Sequence, residues 1–344
     1  MIRTIRKILF PFSLIYDLIT SVRNFLYDKG LIHSYGFELP IIAIGNLNVG
    51  GTGKSPQVEY LIRILSPHLK LAVLSRGYGR KTKGFVLADS ESRAGDVGDE
   101  PLQFYKKFSG ITVAVDENRA RGIQRLLQLI PDLELILLDD AFQHRKVRAG
   151  YYILLTSFSD LYSDDLLLPA GNLRESKRQA RRADTVVVTK CPEELNIETR
   201  AEIQARLSLE KSQKLFFSEI SYADKVIGPS SDIDVDQLNL YQVILVTGIA
   251  NPNPLLEFLR SKNVEFHHLK FGDHHKFSEN DIQKIVFRFE KMQASKKIIL
   301  TTEKDYVRNF LDVSQEVYYL PIETKFLDGH TEFDEIINSY VRKN

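Results

Sequence analysis

A chain of 344 residues is longer than one hydrophobic core usually needs, which predicts two domains. Its charges almost cancel, 46 basic against 45 acidic residues, so it lacks the basic excess of a generic nucleic-acid binder. The single cysteine, Cys191, excludes an intramolecular disulfide and fits a reducing compartment.

The chain opens with "MIRTIRKILFPFSLIYDLITSVRNFLYDKG", which is apolar and basic. The uncharged run from Ile8 is cut by Pro11 and ends at Asp17, and the next run breaks at Arg23. Neither reaches the roughly 20 residues of a spanning helix, and no convincing signal-peptide cleavage site follows. Two compatible readings remain. One is a helical hairpin packed on the core. The other is an interfacial segment that dips Phe10, Phe12, Leu14 and Ile15 into lipid, with Arg3, Arg6 and Lys7 on the headgroups.

Short apolar runs then predict buried parallel strands: "PIIAIG" (40–45), "LAVLS" (71–75), "ITVAV" (111–115), "LELILLD" (133–139), "YYILL" (151–155) and "TVVVT" (185–189). Helical patterns such as "PQVEYLIRIL" and "NRARGIQRLLQLI" separate them, so the sheet is expected to be wrapped on both faces. A second set, "QVILVTG", "VEFHHLK", "KKIILTT" and "EVYYLP", predicts a smaller α/β unit. The expected division is a first lobe over 1–220, including the N-terminal segment, and a linker plus smaller lobe over 221–344. The polar stretch 222–237 is the expected joint.

Between the first strand and helix lies "NVGGTGKS", residues 48–55, a near match to the phosphate-loop pattern G-x-x-x-x-G-K-[ST]. Asn48 stands where the first glycine belongs, a mild departure because Asn tolerates left-handed backbone. Val49, Gly50, Gly51 and Thr52 form the loop, and Gly53, Lys54 and Ser55 complete it. Glycines let backbone N–H groups curl around an anion at a helix N-terminus. Lys54 is expected on the β/γ-phosphates and Ser55 on Mg²⁺. Pro56 falls in the first helical turn, where its missing N–H costs little. The plainer reading is a glycine-rich turn with a chance lysine, against which stand the strand before it and the helix after it. The fold class that follows is a P-loop NTPase-like α/β/α sandwich with a second, smaller α/β lobe.

"LELILLDDAFQH" has Walker-B form, an apolar strand running into Asp139 and Asp140. Adjacent carboxylates repel unless a cation lies near them. A polar strand end with a helix cap is the plainer reading. Gln143 and His144 face the same site if a helical turn starts there. "SRGYGR", Ser75 to Arg80, is a basic glycine-rich loop at the same sheet edge, with Arg76 and Arg80 suited to phosphate clamping or simply solvated. "VGDEP" sets Asp99 and Glu100 before a proline in a loop. "FGDHHKFSEND" opens a C-terminal helix at Ser278, with His274 and His275 as ligands, bases or surface residues. "TVVVTKCP" resembles the end of the guanine-reading N/T-K-x-D signature, but Pro192 replaces the aspartate and GTP specificity gets no support.

Taken in order, "GNLNVGGTGKSP", "SRGYGR", "GDEP", "LLDDAFQHR", "LLPAGNLRE", "RADTVVVTK", "FGDHHKF" and "TTEKDYVR" resemble the tetraacyldisaccharide 4'-kinase family of the lipid A pathway over nearly the whole chain. The resemblance implies two α/β/α lobes around a cleft, ATP and Mg²⁺, and a lipid disaccharide 1-phosphate acceptor phosphorylated at the cytoplasmic face of the inner membrane. No nucleic-acid partner is expected from the charge balance, and no obligate protein partner is inferred. Carried over by motif, the general base falls on Asp99 with His274 as its partner. Lys54 and Ser55 serve the loop, and Asp139 and Asp140 the metal side, with Gln143 and His144 beside them. Glu175 of "LRE" joins the metal and nucleotide site, and Arg119 and Arg174 match positions at the acceptor's phosphate end. Ser75, Arg76 and Arg80 are expected on the substrate side. Asn172 departs from the bulkier or basic residue of many members.

Two other classes compete with a lipid kinase. A nucleotide-dependent switch or chaperone has no need of a dedicated base such as "GDEP" with "DHH". A kinase for a small soluble metabolite has no use for Phe10, Phe12 and Ile15 at an exposed N-terminus.

Overall fold

The computed structural model describes residues 6–273, 275–311, 313 and 316–343. Its larger sheet has nine strands. In chain order they are β1 (Ile41–Asn46), β2 (Leu71–Ser75), β3 (Val86–Leu87), β4 (Thr112–Val115), β5 (Leu135–Leu138), β6 (Tyr151–Ser157), β7 (Thr185–Thr189), β8 (Lys214–Tyr222) and β13 (Ile322–Phe326). Across the sheet the order is β13-β8-β7-β6-β1-β5-β2-β4-β3, parallel except for the antiparallel edges β13–β8 and β3–β4. All six expected strands of this lobe are present.

Alternation in β1 shows why both faces are covered. Ile42 and Ile44 pack with Val58, Leu61 and Ile62 of helix α2 (Lys54–Leu65). Ile41 and Ala43 pack the opposite way, with Ala120, Ile123 and Leu126 of helix α4 (Arg119–Leu129). Successive side chains of a strand point to opposite faces, so a fully apolar strand requires a layer on each side.

The smaller lobe is a four-stranded parallel sheet. Its strands are β9 (Gln242–Thr247), β10 (Phe266–Lys270), β11 (Lys297–Thr302) and β12 (Val317–Leu320), ordered β10-β9-β11-β12. Helices Asn253–Ser261 and Glu279–Glu290 and the short α5 (Glu303–Asn309) accompany it.

The expected boundary over 221–344 needs correction, because the chain returns. After β12 it re-enters the larger sheet as β13, paired antiparallel with β8 through Thr324 and Ile220. Helix α6 (His330–Lys343) then buries Phe333, Ile337 and Val341 in the same core as Ile42 and Val58. The smaller lobe is therefore an insertion between β8 and β13. Sequence pattern missed β8, "KLFFSEISY", because only its middle is buried.

The N-terminal segment forms helix α1 (Phe10–Asp28), turned inside out relative to an ordinary surface helix. Its buried residues are Ser13, Thr20 and Asn24. Ser13 Oγ donates to the Leu167 carbonyl at 3.0 Å, and Tyr16 Oη donates to the Arg174 carbonyl at 2.9 Å. Phe12 (61% exposed), Leu14, Ile15, Leu18 (65%), Ile19, Val22 and Phe25 face outward. Among the described residues no helix is long and apolar enough to cross a membrane.

Candidate active site

The loop after β1 is held open by its neighbours. Asn46 at the strand end donates to the Asn48 carbonyl at 2.8 Å. Its Oδ1 accepts from Lys54 Nζ at 3.3 Å and from Arg174 at 3.0 Å. One polar residue at the end of an apolar strand thus fixes the loop and aims its lysine. Sequence reading passed over Asn46 because it lies outside the motif. Gly50 and Gly53 take the positive φ values of the turn, 127° and 78°. Asn48 does not: it bridges to Leu173, and Val49 N donates to the Asn172 carbonyl at 2.7 Å. Its side chain reaches Asp165 at 3.4 Å, so the asparagine is there for a side-chain contact and not for a left-handed backbone. Gly45 is also required, since a Cβ there would stand 2.7 Å from Phe142 Cβ.

Ser55 Oγ, buried at the start of α2, donates to Glu100 Oε1 at 2.9 Å. Asp139 is 1% exposed. Its Oδ2 accepts from Ser75 Oγ at 2.9 Å, while its Oδ1 has no hydrogen-bond partner among the described residues. Burial, then the charges of Glu100 and Asp140, push its carboxyl up to about 7. Asp140 takes φ 47° and faces the loop lysine instead, 3.7 Å from Lys54 Nζ and 3.3 Å from Arg174. The adjacent carboxylates therefore face different partners, Ser75 for Asp139 and the Lys54–Arg174 pair for Asp140.

Among the described residues no group of three or more His, Cys, Asp or Glu side chains encloses a metal. Mg²⁺ seldom needs such a cage, since nucleotide phosphates and water complete its shell. The orphaned oxygen of buried Asp139, beside Glu100 and the Ser55 hydroxyl, fits a hard cation that arrives with phosphates.

"GDEP" is not a loop. Asp99 is the first residue of helix α3 (Asp99–Lys107), with Pro101 buried in the first turn. Asp99 Oδ2 accepts both Nε (2.8 Å) and Nη2 of Arg308 on α5 in the smaller lobe. Burial opposes ionisation of Glu100, but the Lys304 ammonium at 2.9 Å, then Lys54 and Ser55, hold it down to about 2. His274 lies outside the described residues. His275 Nε2 sits 3.1 Å from Asp281, which caps the helix at Ser278.

The segment after Asp140 is a run of turns and not a helix, yet it brings Gln143 and His144 to the site. Gln143 donates to the Asn46 carbonyl at 2.8 Å and accepts from Arg174 at 3.4 Å. Burial, then Arg119, Lys146 and Arg76, hold His144 down to about 4, so the ring is neutral near pH 7. Both residues line a cavity of about 370 Å³ that also touches Arg23 and Tyr27 of α1.

Four expected placements change. Glu175 is fully buried, with its carboxylate paired to Arg23 of α1 and to Arg182 (2.6 Å), so it fastens the N-terminal helix instead of meeting a metal. Arg119 is 2% exposed and donates to the carbonyls of Asp116 (3.0 Å) and Asp139 (3.2 Å), so it braces the strand end and does not reach an acceptor. Arg80 ties its loop to Glu117 at 2.6 Å and to the Gly84 carbonyl at 2.7 Å, whereas Arg76 is exposed. Arg174 sits against the loop and Asp140, on the nucleotide side of the site.

The model of the family described as tetraacyldisaccharide-1-P 4'-kinase matches residues 5–342. A tetraacyldisaccharide 4'-kinase from Flavobacterium johnsoniae is 51% identical over 341 residues, covering 99% of this chain and 98% of the relative. Its counterpart from Bacteroides thetaiotaomicron is 45% identical, covering 99% and 94%. Among solved structures, LpxK from Aquifex aeolicus in complex with ATP aligns with a TM-score of 0.78 at 29% identity, over 99% of this chain and all of that one. With the loop, the acidic strand end and the two-lobed architecture in agreement with these likenesses, the chain belongs to the tetraacyldisaccharide-1-P 4'-kinase family and is an ATP-dependent kinase of lipid A biosynthesis.

Proposed function

We propose that the chain docks on the cytoplasmic face of the inner membrane through α1 and phosphorylates its lipid acceptor with Asp99 as general base. The observation that carries this is the meeting, at the C-terminal ends of strands of the larger sheet, of the Lys54 loop, the unpartnered Asp139 oxygen and Glu100, the residue that follows Asp99. The acceptor's 4'-oxygen attacks the γ-phosphorus of ATP, the bond to the β–γ bridging oxygen breaks, and ADP leaves. The hydroxyl proton passes to Asp99. Arg308 holds Asp99 through Oδ2, which leaves Oδ1 to take the proton. His274 is the proposed partner of that carboxylate.

Lys54, aimed by Asn46, and Arg174 lie where negative charge develops on the phosphates, and fixed donors there need no rearrangement during reaction. Mg²⁺ arriving with ATP would be held by Ser55 and Asp139, with Asp140 beside it, and would supply charge neutralisation. The 370 Å³ cavity between α1 and His144 is open to a headgroup, and exposed Arg76 adds positive charge near His144. A switch protein would have no use for such a cavity. The direct test is incubation with γ-labelled ATP and detergent-dispersed disaccharide 1-phosphate lipid. Label should appear in the lipid, and its appearance only in inorganic phosphate would overturn the reading.

The membrane share rests on the inverted face of α1. The outward row runs well past Ile15, through Leu18, Ile19, Val22 and Phe25. Arg6 is not available to headgroups as expected. It donates to the carbonyl of Pro169 at 3.0 Å, to that of Gly171, and to Asn172 Oδ1 at 2.9 Å, which also explains Asn172. Arg3 lies outside the described residues. Apolar contact should therefore dominate. Replacing Phe10, Phe12 and Ile15 with serine should weaken binding to anionic vesicles on the order of 100-fold. It should also raise the KM for lipid, with ATP use little changed. High salt should release the wild type only in part, since apolar contact is not screened. Unchanged co-sedimentation of the triple variant would show that these side chains do not meet the bilayer.

A further inference from the structure

Two motifs found no role in the sequence, "TTEKDYVR" and "TVVVTKCP", and the fold brings a lysine from each to the phosphate loop. Helix α5 of the smaller lobe faces α3 of the larger one through three ion pairs. The outer two are Glu303 with Lys107 at 2.9 Å and Arg308 with Asp99. These fix the position of α5. The middle pair joins Lys304 to Glu100 at 2.9 Å, through the same Oε1 that accepts the Ser55 hydroxyl. The Lys304 side chain remains 40% exposed. From the other side, Lys190 donates to the Gly51 carbonyl at 2.6 Å. Burial, then Lys304 and Lys54, push its ammonium down, so Lys190 feels both other lysines at the mouth of the loop. Like charges gathered in this way suit a polyanion.

We propose that Lys304 is a direct ligand of the nucleotide's terminal phosphates, supplied across the lobe interface, and that it exchanges Glu100 for phosphate oxygen when a triphosphate binds. The assignment rests on the Gly50–Ser55 loop being the polyphosphate site. Were Mg²⁺ held by the Ser55 hydroxyl and Asp139, beside Glu100, its charge would compete with Lys304 for the Glu100 carboxylate and the ammonium would be free to turn to phosphate. Its outer neighbours, Glu303 and Arg308, keep it there. A lysine–phosphate contact is a charge-assisted hydrogen bond, available only to a nucleotide long enough to reach it. Triphosphate binding would then draw on both lobes, and diphosphate binding mainly on one.

The test is equilibrium titration of the full chain with fluorescent ADP and with a fluorescent non-hydrolysable ATP analogue, both with Mg²⁺. Lys304→Met should weaken the triphosphate about 10- to 100-fold and ADP by less than about threefold. Lys304→Arg should recover most of the loss. Equal weakening of both nucleotides, or of neither, overturns the assignment. Glu100→Gln combined with Lys304→Met removes both charges of the pair, so it also serves if the single variant folds poorly. Wild-type triphosphate affinity in that double variant would mean that Lys304 merely neutralises Glu100, which also overturns it. Lys54→Ala separates the two levels. If it leaves both nucleotides bound, the loop reading has failed. If it loses them while Lys304→Met matches wild type, only the lysine assignment has.

Discussion

Asp99→Asn should lower kcat by about 10²- to 10⁴-fold, the usual worth of a positioned general base, while the affinity for ATP changes little. Asn keeps the size of the side chain and one oxygen to accept from Arg308, so the contact between α3 and α5 should persist. The melting curve then separates a chemical from a structural loss. His274→Ala should give a similar kcat defect, and the double variant should be little worse than the worse single, because the two groups act on one proton. Fully additive losses would dissolve the pair. A rise in the KM for ATP as large as the fall in kcat would move Asp99 from the acceptor to the nucleotide.

Asp139→Asn should cost about 100-fold or more in turnover, because a cation held there, as proposed, would stabilise developing charge by several kcal/mol. The same change should stabilise the nucleotide-free protein. Asp139 is buried with an unpartnered oxygen, and its carboxyl titrates near 7 in the folded chain against an ordinary carboxylate value when unfolded. The folded form therefore holds the extra proton between those values, and stability falls as pH rises through that interval. The advantage of the asparagine should be smallest near pH 4, grow towards pH 7 and then level off. Thermal melts across that range, without nucleotide, provide the check. A variant that is less stable than wild type yet retains turnover would remove Asp139 from the metal side.

The legible parts of this protein were those written in adjacent residues. The loop from Gly50 to Ser55 and the strand end at Asp139 each bring a strand, a turn and their chemistry within a few positions. What escaped was pairing at a distance. Glu175 reads as an acidic residue in a polar stretch, and nothing local shows that Arg23, about 150 positions earlier, will neutralise it. Arg119 begins a helix, where an arginine ordinarily meets solvent, but the packing of α4 on β2 and β4 turns it inward, onto the Asp139 carbonyl. Glu100, Lys304 and Arg308 are ordinary polar residues until the lobes meet, and Asn46 is one until Arg174 and Gln143 reach it. The inversion of α1 was half legible. Its apolar positions were plain, but which stripe faced the protein depended on carbonyls of the segment 167–174.

The return of the chain into the larger sheet sets an order of assembly. Phe326, Phe333, Ile337 and Val341 complete a core whose other members, such as Ile42 and Val58, leave the ribosome first. Between the synthesis of β8 and that of α6 the nascent lobe has an open edge at β8, where its flanking strand will come to lie. At bacterial elongation speeds the hundred or so residues of the insertion take roughly 5 to 20 s to make. That interval suffices for the smaller parallel sheet to fold as a unit and deliver the last segment to the waiting edge. Loss of the final twenty residues should therefore be felt at the opposite end of the gene product, as misfolding of the nucleotide-binding half in newly made chains.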